Sequence, residues 1–180
     1  MNAVDALLLV DLQRAFTEGP HAVPEAAGLM ATVDALVRSA RAVGADVVHL
    51  QNDGRPGAVD MPDAPGWELV VQPLSGEPVV RKQSDDGFAG TELQQLLGLG
   101  RRLVIAGTMS EMCVAATARS ALGHGHRVTL VTGSHATYDV PPGPGGSPGV
   151  PAVLAARAAE WSLGEEVQVV SPDEVEFVRR

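Results

Sequence analysis

Three side chains able to support covalent catalysis follow three separate apolar segments. Asp11 directly follows VDALLLV at 4–10, Lys82 ends the segment EPVVRK, and Cys113 comes shortly after RRLVIAG at 101–107. Because the carboxyl ends of parallel strands meet at one edge of a sheet, these side chains are expected to lie close together. A thiol beside a base and a cation can act as a nucleophile, so the spacing indicates covalent catalysis.

Each of the three residue types can perform a different step of acyl transfer. An ordinary thiol has a pKa of roughly 8.5, so Cys113 needs a neighbouring charge or base to become a thiolate. Lys82 supplies positive charge, while Asp11 accepts the thiol proton and returns it to a leaving amine. Backbone amides of the turn at 107–113 and the helix beginning near Ser110 favour a developing oxyanion. The alternative is an inert core cysteine, an aspartate that caps a turn and a solvated lysine.

Alternating strand and helix patterns are expected to position these residues. Strands buried on both faces are predicted at 4–10, 45–50, 101–107 and 126–133, and shorter strands at 77–82 and 165–170. Helices are predicted at 25–44, 91–100, 110–125 and 152–162, the last with Trp161 facing inward. The pattern predicts a single domain over 1–180, with an α/β fold: a doubly wound, Rossmann-like, mostly parallel six-stranded sheet in an α/β/α sandwich. Loops rich in proline and glycine, at 51–76 and 140–151, are expected to shape a binding site.

The composition favours a globular protein that acts on small molecules. The 180 residues carry a formal net charge of −9, which argues against nucleic acid or an anionic membrane as a partner. The single cysteine cannot form an internal disulfide, and the apolar run at 6–10 is too short for the core of a signal peptide. We therefore expect a cytoplasmic protein.

Four longer strings of this chain resemble the isochorismatase-like cysteine hydrolase superfamily. They are LLLVDLQRAF (7–16), VVRKQSDDGFAGTELQQLL (79–97), VIAGTMSEMCVAATARSALGHGHRVTLVTGSHATYD (104–139) and SPDEVEF (171–177). The resemblance implies Asp11 as general base, Lys82 as stabiliser of thiolate and transition state, and Cys113 as covalent nucleophile. It also implies a cis peptide at Thr108–Met109, an oxyanion hole formed by the backbone amides of Met109 and Cys113, and a homodimer or larger homo-oligomer.

Residue differences separate this chain from two branches of that superfamily. Nicotinamidases bind a metal through an Asp-x-His…His set after the second strand, where this chain has only His49 and Asp53. We therefore predict no catalytic metal and no cofactor, with His49 packed or hydrogen-bonded in the core. True isochorismatases, which cleave a vinyl ether, typically lack the cysteine that acyl transfer needs.

The predicted reaction is hydrolysis of a C–N bond in a small-molecule amide, carbamoyl compound or lactam, through a thioester. Two alternatives stay open. One is vinyl-ether hydrolysis with Asp11 as the acid, and the other is a small-molecule binder without catalysis.

Few side chains indicate the substrate. The predicted pocket residues are Phe16, Trp67, Phe88, His135 and Tyr138. Core packing is an equally good interpretation of Phe16 and Phe88, and His135 and Tyr138 are expected to order a loop or line the rim of the pocket. Trp67, in a loop rich in glycine and proline, is the strongest candidate for a ligand contact. Asp85 and Asp86 suit either a cationic substrate or a solvated loop. Thr117 is expected to hold the nucleophile turn by hydrogen bonding. The segment 140–151 departs from the histidine-bearing helix that relatives often have, so their substrates are not transferred to this chain.

Overall fold

The computed structural model describes residues 2–180. Its strands are β1 (Asn2–Val4), β2 (Ala6–Val10), β3 (Asp46–Asn52), β4 (Val79–Lys82), β5 (Arg102–Thr108), β6 (Arg127–Val131), β7 (His135–Ala136), β8 (Val167–Val170) and β9 (Val175–Phe177). Its α-helices are α1 (Arg14–Thr17), α2 (Ala26–Val43), α3 (Leu93–Leu97), α4 (Ala115–Gly123) and α5 (Ala152–Ser162). A π-helical turn, Ser110–Val114, precedes α4.

The main sheet has the strand order of a doubly wound fold. Strands β4, β3, β2, β5, β6 and β8 lie side by side in this order, all parallel, and the short β7 pairs with β5. The chain runs outward from β2 in one direction and from β5 in the other, so the order reverses between these two strands. Ligands of such sheets bind beyond the carboxyl ends of the strands at this reversal. The predicted fold class is confirmed, with β7 as an additional strand and β1 paired to β9 apart from the main sheet.

Aliphatic side chains cover both faces of the sheet. All five residues of β2 are buried, and alternate positions face opposite layers. Leu7 and Leu9 join the core formed with α2, while Leu8 and Val10 join the core formed with α3 and α4. Burial on both faces explains why the strand sequence is apolar throughout rather than alternating.

Two helical predictions differ from the structure. Helix α3 occupies only part of the predicted 91–100. It ends at Leu97, and Gly98 is its C-terminal capping residue. The prediction that Trp161 faces inward is wrong, because its side chain is 78% exposed. The buried positions of α5 are three alanines, Ala152, Ala155 and Ala159. At 3.6 residues per turn, Trp161 falls on the opposite face. None of the helices within residues 2–180 is long and apolar enough to cross a membrane.

A buried ionic cluster joins the amino-terminal ends of the central strands. Arg101 Nε lies 2.7 Å from Asp5 Oδ1, and Arg102 Nε lies 3.0 Å from Asp5 Oδ2. Arg101 also contacts the half-exposed Asp46 at 2.7 Å. Burial would raise the pKa of Asp5, but the hydrogen bonds from the two arginines outweigh it and hold that pKa below its ordinary value.

We expect Asp5→Asn to lower the free energy of unfolding by about 3 kcal/mol at neutral pH, because Arg101 loses its buried charge partner. Since the pKa of Asp5 is lowered in the folded state, this stabilisation is present above the ordinary value of about 3.9 and is lost as the pH falls below it. Urea denaturation measures both effects, with the exposed Asp34→Asn on α2 as the control. Equal midpoints for Asp5→Asn and wild type would contradict the prediction.

Candidate active site

Asp11, Lys82 and Cys113 meet beyond the carboxyl ends of β2, β4 and β5. Lys82 Nζ lies 2.7 Å from Asp11 Oδ2 and donates to Cys113 Sγ at 3.4 Å. Its third contact is the backbone carbonyl of Ser84, at 3.1 Å. Lys82 and Asp11 are both 2% exposed, whereas Cys113 is only partly buried and reaches the surface. The structure thus brings together the three residues that sequence spacing placed at one sheet edge.

Backbone conformation at the strand ends turns these side chains toward one another. Asp11 has a φ of 49°, a left-handed conformation that is uncommon for a residue other than glycine. Thr108 Oγ1 donates to the carbonyl of Asp11 at 3.0 Å, which ties the end of β5 to the end of β2. Gly107 has a φ of 137°, and a Cβ there would lie 1.9 Å from the carbonyl oxygen of Val10. Only glycine allows the two strands to approach this closely.

The turn after β5 presents the thiol at the start of α4. The Thr108–Met109 peptide bond is cis, and the π-helical turn that follows contains Cys113. The turn is also connected to α5. Ser110 Oγ lies 2.9 Å from Nδ1 of His135, and Nε2 of His135 lies 3.2 Å from Glu160 Oε1. Buried side chains therefore connect the nucleophile turn to α5.

Burial and the neighbouring Asp11–Lys82 pair together set the protonation of the thiol. Burial opposes the charged form of Lys82, but the Asp11 carboxylate outweighs it and raises the pKa of the ammonium. Burial raises the pKa of Asp11. Burial and the Asp11 charge together raise the pKa of Cys113 to about 12, and Lys82 offsets only part of this. The resting thiol is therefore neutral, because burial and the Asp11 charge together outweigh the effect of Lys82 that was expected from the sequence.

We expect alkylation of Cys113 by iodoacetamide to accelerate steadily with pH. A pKa of about 12 leaves the thiol protonated, so the rate should rise about tenfold per pH unit between about pH 7 and about pH 10 without levelling off. Cys113 is the only cysteine in the sequence, so intact mass follows one adduct. Glutathione is the control, and its rate should level off near an ordinary thiol pKa. A plateau for Cys113 below about pH 8 would contradict the raised pKa.

Asp11 keeps one carboxylate oxygen available for proton transfer. Oδ2 contacts Lys82, whereas Oδ1 is buried and has no hydrogen-bond partner among residues 2–180. Buried acceptors without a partner are rare, because they lose the hydrogen bonds that water would provide. A free oxygen on a buried carboxylate near a neutral thiol is the group that a general base requires.

The five predicted pocket residues are distributed over separate places. Phe16 is partly buried and packs against the core on the α2 side, whereas Phe88 is buried in the core on the other face. His135 contacts the nucleophile turn. Tyr138 is 37% exposed, and its hydroxyl donates to a backbone carbonyl near α1. The packing of Phe16 and Phe88 thus matches the alternative that both belong to the core.

Trp67 contacts two residues that line a cavity beside Lys82. Its indole N–H donates to Asp53 Oδ1 at 3.1 Å, and the guanidinium of Arg81 lies 4.3 Å from the centre of the ring. A cavity of about 350 Å³ extends from Asp53 and Arg81 to Lys82. Trp67 thus supports one wall of a space beside the predicted site.

His49 and Asp53 are engaged in separate contacts. Nε2 of the buried His49 lies 3.1 Å from Glu77 Oε2, as expected for a hydrogen-bonded core residue. Asp53 Oδ1 instead contacts Arg81 Nε at 2.6 Å. In the part of the chain that the structure describes, no three His, Cys, Asp or Glu side chains lie close enough together to hold a metal ion.

Comparison with known proteins assigns this arrangement to a family. A family model, the isochorismatase domain, matches residues 5–142, which is more than half of the chain. The chain belongs to the isochorismatase family. It is a hydrolase of this family, and a streptothricin hydrolase and a maleamate amidohydrolase are among its relatives.

Relatives within the isochorismatase family cover most of this chain. Two streptothricin hydrolases from Streptomyces noursei are each 56% identical to it over 94% and 93% of its length. The chain spans only 69% and 62% of those two proteins. Maleamate amidohydrolase from Pseudomonas putida is 32% identical, over 70% of this chain and 69% of that enzyme. The crystal structure of an isochorismatase from Pseudomonas putida KT2440 superposes with a TM-score of 0.86 and 27% identity, covering 97% of this chain and 90% of that one.

Two side chains of this isochorismatase-family site were not assigned a role from the sequence. Gln13 is fully buried and donates to the carbonyls of Asn52 and Trp67 at 3.0 and 3.1 Å, so it joins the end of β3 to the loop beside the site. Glu160 reaches the nucleophile turn through His135. The only feature of the sequence that points to Gln13 is its position in the same motif string as Asp11. Glu160 lies in a helix whose packing the sequence does not define.

Proposed function

We propose that the protein is a metal-independent cysteine hydrolase that cleaves the C–N bond of a small amide, carbamoyl compound or lactam. The observation that carries the proposal is the contact of one buried ammonium, Lys82, with both the Asp11 carboxylate and the Cys113 thiol, at 2.7 and 3.4 Å. A positioned thiol has a use in acyl transfer and none in vinyl-ether hydrolysis. The identity to streptothricin hydrolases makes streptothricin the first substrate to test.

The proposed reaction begins with acylation of Cys113. As Sγ attacks the substrate carbonyl carbon, the thiol proton passes to Oδ1 of Asp11, and the carbonyl oxygen becomes an oxyanion. Backbone amides of Met109 and Cys113 are the proposed donors to that oxyanion. The Met109 amide suits this role, because it donates no hydrogen bond to any other residue that the structure describes. The C–N bond then breaks, Asp11 returns the proton to the leaving nitrogen, and a thioester remains.

In the hydrolysis of the thioester, water is the nucleophile and the Cys113 sulfur is the leaving group. A water molecule gives one proton to Asp11 and its hydroxyl group to the acyl carbon. The C–S bond breaks, the sulfur leaves as a thiolate beside the Lys82 ammonium, and it regains the proton from Asp11. The product is a carboxylic acid, or a carbamic acid from a carbamoyl compound. Lys82 stays protonated throughout and acts by its charge, consistent with its raised pKa.

Mass spectrometry under turnover tests the proposal. The protein is incubated with streptothricin and, separately, with maleamate. The masses of the products and of the rapidly quenched enzyme are then measured. If a lactam is opened, we expect one product whose mass exceeds that of the substrate by one water. If an amide is cleaved, we expect an acid and an amine whose masses sum to substrate plus water. In both cases the quenched enzyme should carry an acyl adduct on Cys113. Cys113→Ala should give neither, while Asp34→Asn on the exposed face of α2 should give both. Amide hydrolysis that persists in Cys113→Ala would contradict the thioester route.

A further inference from the structure

We propose that Asp85 determines specificity by binding a cationic group of the substrate next to the scissile carbonyl. The inference rests on the proposed function and narrows its substrate class to amides or lactams that carry an ammonium or guanidinium group. Asp85 is exposed, and its Oδ1 lies 3.6 Å from Sγ of Cys113. A substrate whose carbonyl carbon touches that sulfur therefore has to pass beside this carboxylate.

The loop that carries Asp85 is fixed on both sides. Lys82 Nζ donates to the carbonyl of Ser84 at 3.1 Å. Thr117 Oγ1, in α4, donates to the carbonyl of Asp85 at 3.4 Å and accepts the amide N–H of Gly87 at 3.0 Å. Thr117 thus holds this loop rather than the nucleophile turn itself. These contacts keep the Asp85 carboxylate at the entrance to the thiol.

A negative charge at this place disfavours the proposed chemistry unless a cation neutralises it. After burial and the charge of Asp11, Asp85 is a further cause of the raised pKa of Cys113. It would also repel the oxyanion that forms on the carbon bonded to the sulfur. A cationic group of the substrate on Asp85 would remove both effects. Substrate binding and activation of the nucleophile would then be coupled.

The neighbouring Asp86 has a different role from Asp85, because its carboxylate is used within the loop. Oδ1 of Asp86 accepts the backbone N–H of Phe88 at 2.8 Å, so Asp86 orders the loop. The net charge of −9 also favours the approach of cations over anions. A cation hydrogen-bonded to Asp85 would lie within about 10 Å of a carbonyl carbon at Sγ, which limits the spacing of the two groups in the substrate.

Charged thiol reagents test this assignment without a substrate. The probes are two methanethiosulfonates, one with a cationic trimethylammonioethyl group and one with an anionic sulfonatoethyl group. The ratio of their rates cancels any change in the thiol pKa, because both react with the same thiolate. We expect the cationic reagent to react faster with wild type, and Asp85→Asn to lower the ratio about tenfold. The matched control, Asp86→Asn, keeps the acceptor for the Phe88 amide and should change the ratio by less than about twofold.

The results separate this inference from the proposed function. An unchanged ratio in Asp85→Asn, or an equal fall in Asp86→Asn, would overturn the assignment even if amides are hydrolysed. A tenfold fall that is confined to Asp85→Asn would support the cation site even if no amide is cleaved, in which case the proposed function fails alone. Because Asp85 is exposed, the variant should keep the thermal midpoint of wild type, which is measured in parallel.

Discussion

Asp11→Asn is expected to abolish amide hydrolysis and, at the same time, to make Cys113 more reactive. A carboxamide cannot accept the thiol proton, so kcat/KM should fall by about 10³- to 10⁴-fold. The same change removes a negative charge that raises the pKa of Cys113. The thiol pKa should therefore fall, and alkylation by iodoacetamide near pH 8 should accelerate more than about tenfold.

The opposite signs of these effects distinguish chemistry from damage to the fold. A misfolded variant would lose turnover, and its alkylation would approach that of a free thiol with a plateau near the ordinary pKa. Both rates are measured on one preparation, with Asp34→Asn as a control that should change neither. Alkylation that stays as slow as in wild type would show that Asp11 does not set the protonation of Cys113.

The fold could be predicted because its central strands are buried on both faces. Runs such as 4–10 and 101–107 have no polar alternation, and the helices between them fix the parallel arrangement. Shorter elements were missed for a physical reason. The two residues of β7 and the three residues each of β1 and β9 are too few to show a period. The prediction for Trp161 is wrong because the size of an apolar side chain does not determine which face of α5 packs inward. Three small alanines occupy that face, and Trp161 is exposed.

The site could be predicted only at the level of strand ends. Parallel strands finish at one edge, so Asp11, Lys82 and Cys113 could be placed together from their positions after apolar runs. Their electrostatics could not, since the raised pKa of the thiol depends on how deeply the thiol is buried and on how the Asp11 charge opposes that of Lys82. The position of Asp85 also lay beyond sequence reasoning. It depends on hydrogen bonds to Thr117, which is distant in the chain.

Lys82→Met is expected to destabilise the protein and to inactivate it. The substitution leaves the Asp11 carboxylate buried without its cation, which costs about 3–5 kcal/mol or forces the carboxyl group to bind a proton. A protonated Asp11 cannot accept the thiol proton, so hydrolysis should fall at least about 10³-fold. Urea denaturation and turnover measure the two effects. Wild-type stability in this variant would contradict a buried ion pair at the 2.7 Å separation seen here.

The double variant Asp11→Asn with Lys82→Met is expected to regain stability without regaining activity. Replacing both partners of a buried ion pair by neutral groups of similar size avoids the cost of an unpaired charge, so the free energy of unfolding should return to within about 1 kcal/mol of wild type. Hydrolysis should stay absent, because both the base and the cation are missing. This non-additive recovery in stability measures the coupling between the two side chains. It would mean that the pair is kept at this sheet edge for its effect on Cys113 rather than for the fold. A double variant as unstable as Lys82→Met alone would instead assign the pair a structural role.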